Sequence, residues 1–206
     1  MSFLTQNDNS DFLPYINWGS QAVQWTKKEG EGKASFTPTT AIFDMEALKV
    51  GWIKMEQGQS PIKMLEHYKG TVPAMPDEKT TNQQGREVNA YQKGFSVNVL
   101  FGKDFGEDRL FEFSTSQKGS LEAVAGLLEA YEAGKDANQG KVPVVTFSGH
   151  THKVMGKGST NIPNLSITSW VDRPVELDVT PATVTSNDAT PVANTASAVA
   201  TGGSEF

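Results

Sequence analysis

Cations and aromatic rings interleave along much of this chain: Trp52 with Lys54, Lys63 with His67, Tyr91 with Lys93 and Phe95, Lys103 with Phe105, and His152 with Lys153 and Lys157. Ring faces stack on nucleic-acid bases at roughly 1 to 3 kcal/mol each while lysines follow the phosphates, so this mixture suits a sequence-tolerant binder of single strands. Two other strings have chemical content. Gly149-His150-Thr151-His152 offers two imidazoles that ligate metals in their neutral form. Gly156-Lys157-Gly158-Ser159 echoes a phosphate-binding loop, but a glycine separates its Lys from its Ser and a strand follows where a helix is needed. It reads as a flexible hairpin tip carrying one cation. No Ser-His-Asp set or carboxylate pair stands out, because with three histidines every Asp and Glu is equally eligible. Neither a catalytic residue nor a cofactor is expected.

Strand alternation sorts the rings. Trp52 and Lys54 fall on one strand face, as do Tyr91, Lys93 and Phe95 on another. That second face continues into Val97, Val99 and Phe101, a core stripe, which assigns Phe95 to the core and leaves Tyr91 and Lys93 as a stacking platform. Trp170 fits either role.

Composition bounds the rest. The chain has 206 residues, 19 glycines, 10 prolines and no cysteine, which suits one loop-rich β or α+β domain and excludes disulfides, thiolate metal sites and cysteine nucleophiles. No segment approaches the roughly 20 apolar residues of a membrane helix, and the opening residues lack a basic stretch, so a soluble cytoplasmic protein is expected. Net charge is -6. Removing Asp178, Asp188 and Glu205 with the C-terminal segment leaves a body only mildly acidic, so a basic surface remains open.

Along the chain, residues 1–20 read as an aromatic-bearing irregular arm. Strands are expected at 21–27 and 34–43, around the two glycines of Gly30-Glu31-Gly32, and as a hairpin at 48–56 and 61–68. Residues 69–89 are polar and without period, a long loop. Alternation marks 91–101 as a strand and 109–115 as its partner. Ser120 reads as the N-cap of a helix with Leu121, Val124, Ala125, Leu128 and Tyr131 at helical spacing and Gly134 to end it. Strands at 142–153 and 164–171, joined by 154–163, close the body. From Thr180 the chain lacks large apolar residues and reads as disordered, so residues 1–176 form the domain and 177–206 a tail. Antiparallel strands with one helix before the last two predict a mainly β, α+β fold of OB type, a small Greek-key barrel; other five- or six-stranded barrels and sandwiches fit the same layout.

The strings MSFLTQNDNSDFLPYINW, GWIKMEQGQSP, LLEAYEAGKDANQGKVPVV, SWVDRP and the terminal SEF resemble a group of phage and prophage single-stranded DNA-binding proteins, over most of residues 1–176. The resemblance implies an OB-fold that coats single-stranded DNA in replication, recombination and repair, in the host cytoplasm, with a C-terminal tail that recruits replication or recombination proteins. The tail departs from that pattern in having few acids before its terminal ring. It would therefore dock through Glu205, Phe206 and the terminal carboxylate. The residues expected to contact DNA are Trp52, Lys54, Lys63, Tyr91, Lys93, Lys103, Phe105, Lys153 and Lys157.

Two other functions compete. Gly149-His150-Thr151-His152 is similar to the last metal-binding motif of calcineurin-like metallophosphoesterases, but the Asp-x-His, Gly-Asp and Asn-His strings of such sites have no match, and only His67 is left. A phage structural or adaptor protein would share the layout and ignore oligonucleotides.

Overall fold

A computed structural model describes residues 13–178, apart from 31, 56–59, 83, 107 and 156–157. Its elements are β1 (Tyr15–Gly19), β2 (Gln24–Glu29), β3 (Gly32–Phe36), β4 (Thr40–Phe43), β5 (Lys49–Lys54), β6 (Ile62–His67), β7 (Lys79–Thr81), β8 (Glu87–Asn89), β9 (Tyr91–Phe101), β10 (Leu110–Thr115), α1 (Lys118–Gly134), β11 (Lys141–Met155) and β12 (Gly158–Asp172). The protein is mainly β with one main helix, as its sequence predicts.

The organising strand is β9, where the alternation is strongest. One of its edges pairs with β10 and the other with β5 near its start and β4 near its end. Around it runs a ten-stranded sheet in the order β12-β11-β4-β9-β10-β1-β2-β3, with β6 outside β5. All ladders are antiparallel except β1 with β10.

Phe95, Val97, Val99 and Phe101 point from β9 into one core, which confirms Phe95 as a core ring. Trp25 of β2 meets Phe113 of β10 at 5.2 Å and Phe147 of β11 at 5.1 Å, both edge to face. Strands far apart in the sheet order therefore share one core, and the sheet is strongly curled. Each such ring pair adds about 0.5–1.5 kcal/mol to the burial of its area. Among the described residues the curl does not close into a barrel: β3 and β12, at the two ends of the order, share no ladder. On the outer face Leu100, Val142 and Leu177 form a second, smaller core.

Several local expectations are corrected. Residues 15–19, expected in an irregular arm, form β1 between β10 and β2, because Ile16 and Trp18 bury on one side while Tyr15 and Asn17 stay partly exposed on the other. The expected strand at 34–43 is broken at buried Pro38, which has no N–H to give a ladder. Ser120 is not an N-cap: the helix starts at Lys118, and Ser120 is fully buried. The first turn packs hard on β12, where a Cβ at Gly119 would lie 3.0 Å from the Thr160 hydroxyl oxygen. Leu127, not Ala125, completes the buried stripe of α1. The expected connection 154–163 is mostly ladder, reaching Met155 opposite Gly158, and Pro163 falls beside a register shift near His150. The 69–89 segment holds the β7–β8 hairpin. At its base the Tyr68 hydroxyl donates to Glu132 at 2.6 Å, tying the end of β6 to α1. Burial first, and that carboxylate second, push the phenol well above its ordinary pKa. The turn of the β5–β6 hairpin lies outside the described residues.

Candidate nucleic-acid interface

Register brings four of the expected contact residues together. In the β5–β9 ladder Trp52 lies directly opposite Lys93, and Lys54 directly opposite Tyr91. Residues opposite one another in an antiparallel ladder share a face with Cβ atoms about 4.5–5.5 Å apart, so each ring has a cation beside it across the ladder. In the β5–β6 ladder Met64 extends the first row and Ile62 the second. The patch is the continuation of the core face: Val50, two residues before Trp52, is opposite buried Phe95.

Part of the patch is engaged within the chain. The Trp52 indole N–H donates to the Pro73 carbonyl at 2.8 Å, and the Lys54 ammonium contacts Glu78 at 2.5 Å. The segment before β7 therefore lies against β5 and holds the Trp52 ring by its edge. Asn89 donates from its side chain to the Pro76 carbonyl at 2.8 Å and accepts the Tyr91 N–H at 2.7 Å, which fixes the start of β9. Lys93 is exposed and makes no ion pair among the described residues. Ile62, Met75 and Met55 around the patch are exposed apolar side chains.

The other expected residues lie elsewhere. Lys63 is opposite Ile53 and so on the reverse face, where its ammonium binds both Glu112 oxygens at 2.6 Å. Lys103 and Phe105 follow β9, roughly 30 Å along the strand from Tyr91 at about 3.3 Å per residue. Phe105 stacks on Phe101 at 4.4 Å, with Phe36 and Phe111 edge-on and the Lys27 ammonium 4.6 Å from its ring centre. Lys153 is on β11 and pairs with Glu122 of α1 at 2.5 Å. Lys157, Glu205 and Phe206 lie outside the described residues.

His150 and His152 are both exposed on β11. His152 shares a hydrogen bond with the Asn161 side chain at 3.0 Å, and the His150 ring lies 6.3 Å from Trp18. Among the described residues no group of three or more His, Asp or Glu is arranged to hold a metal. A cleft of about 390 Å³ beside the β2–β3 turn is lined by Lys27 and Lys28 but also by Glu29 and Asp108, so its charges balance. Among the described residues no helix is long and apolar enough to cross a membrane.

Sequence reading missed Tyr15, Lys28 and Lys33, which align on the outer face of β1, β2 and β3. The available signal was the pair of glycines at 30 and 32: a reversal between the two strands there sets Lys28 opposite Lys33, as the ladder has it.

No protein-family model, curated protein or solved structure matches this chain.

Proposed function

We propose that this protein binds single-stranded DNA without sequence preference, as a non-enzymatic coating protein of the phage type, and that its C-terminal segment recruits replication or recombination proteins through Glu205 and Phe206. The observation that carries the reading is the register of β5 on β9, which sets Trp52 against Lys93 and Tyr91 against Lys54. Ring and cation on one surface are what stacking on bases and tracking of phosphates require together. On this reading the Glu78 carboxylate occupies Lys54 where a phosphate oxygen would otherwise sit. An OB-type ancestry is supported by the curl of the sheet about one core and by the helix between β10 and β11. The host cytoplasm is the compartment such a role implies.

Two substitutions test it. Trp52→Ala is expected to weaken oligo-dT binding on the order of tenfold or more, from about 1–3 kcal/mol of lost stacking. Lys93→Gln is expected to lower the salt dependence of binding by about 0.7 in log-log slope, the value of one phosphate contact on a single strand. Lys93 is exposed, so its melting temperature should match the parent protein. Fluorescence anisotropy with labelled oligo-dT at several salt concentrations reads both. Unchanged affinity and slope in both variants would remove the patch from the account.

A further inference from the structure

The outer face of the sheet carries a second arrangement. Lys28 and Lys33 are directly opposite one another in the β2–β3 ladder. Like charges in that position repel and destabilise the pair. Neither lysine makes an ion pair among the described residues, whereas Lys54, Lys63, Lys135 and Lys153 all do. Ile16 pairs with Lys27, so Tyr15, one residue earlier, faces the same side as Lys28. The Lys33 ammonium lies 5.7 Å from the Tyr15 ring centre. One step further across the sheet, Glu112 is opposite Tyr15, and its carboxylate is already occupied by Lys63. The row therefore presents two cations without an ion pair among the described residues and a ring, with Asn17, Thr26 and Ser35 in the next row.

We propose that Tyr15, Lys28 and Lys33 form a second contact site for the phosphate backbone of single-stranded DNA, on the reverse face of the sheet from Trp52 and Lys93. The inference rests on the binding function proposed above and deepens it. A bound phosphate between the two ammonium groups relieves their repulsion, in an edge hairpin that keeps two lysines in register with no ion pair to either among the described residues. Because the two sites lie on opposite faces, a strand touching both must pass around the sheet, so the second site engages only long oligonucleotides.

The test is a salt titration of the double variant Lys28→Gln/Lys33→Gln against oligo-dT longer than about 16 nucleotides, the upper site size of a single OB domain. The expected result is a fall of about 1.4 in log-log slope, two phosphate contacts at about 0.7 each, with a melting temperature equal to or above the parent because the repulsion is gone. The charge-conserving K28R/K33R variant is expected to keep the parent slope. If the glutamine variant retains the parent slope while Trp52→Ala still weakens binding, the second site is wrong and the first stands. If the K28R/K33R variant loses the slope as well, the lysines act through the fold rather than through charge and the proposal falls. If the parent protein itself ignores oligo-dT, both readings fall together.

Discussion

Replacing Arg173 by alanine is expected to lower the stability of this protein by about 3 kcal/mol, read as a shift of the denaturant midpoint at unchanged slope. Arg173 follows β12 and reaches back to Asp44, which is fully buried, with its two terminal nitrogens donating to the two carboxylate oxygens at 2.8 Å each. Asp44 also accepts the Ala47 N–H at 3.3 Å, within the short turn that carries β4 into β5. The same guanidinium donates to Asp178 at 2.8 Å and to the Leu177 carbonyl at 3.3 Å. One side chain thus holds the end of the described chain against the turn at the centre of the sheet. Alanine would leave the Asp44 carboxylate buried without its partner, which costs about 3–5 kcal/mol in comparable sites, and partial exposure of Arg173 places the expectation at the lower end. Arg173→Lys should recover only part of the loss, because an ammonium cannot meet both oxygens in the planar forked geometry. A loss below about 1 kcal/mol for alanine would make the pair an ordinary surface contact.

The second large effect is expected from Gly51→Ala. Gly51 lies on β5 opposite Gly94 of β9 and Leu65 of β6, with a φ of 156°. A Cβ there would come within 2.2 Å of the Met64 carbonyl oxygen. That atom is backbone, so relief requires β6 to move away from β5. Backbone strain and overpacking together suggest roughly 3 kcal/mol. Because Trp52 follows Gly51 directly, the variant should lose oligo-dT affinity along with thermal stability, unlike Lys93→Gln. A melting temperature within a degree or so of the parent would show that the ladder tolerates a side chain at this position.

Much of the architecture is legible in the residues, and the failures have physical causes. Where one face of a strand is deeply buried, as in β9 and β10, alternation announces it. The β5–β6 hairpin is legible for the same reason, with Ile53 buried between Trp52 and Lys54. β1 is hidden because its pattern is only five residues long and follows Pro14, and because its strand conformation depends on pairing with β2 and β10. Ser120 misleads because a hydroxyl before a periodic stretch suits a cap equally well whether it is outside the helix or within its first turn. The far half of β12 carries Asn161, Pro163 and Asn164, residues that favour turns, and is held as strand by its pairing with β11.

The candidate site divides in the same way. That Trp52 shares a face with Lys54, and Tyr91 with Lys93, follows from a period of two. That the first pair lies against the second follows only from the β5–β9 register, which depends on Gly51 and Gly94 meeting across the ladder. The engagement of Lys63 by Glu112, and of Phe105 by Phe101 and Lys27, arises between segments far apart in the chain and leaves no local trace.

A protein that offers rings and lysines to a nucleic-acid strand should distinguish single strands from duplex. The most direct measurement is a titration of the parent protein with oligo-dT and with duplex DNA over a range of salt. Preference for the single strand and a log-log slope of about -0.7 for each phosphate contacted are expected. Absence of binding, equal affinity for duplex, or a slope near zero would contradict it.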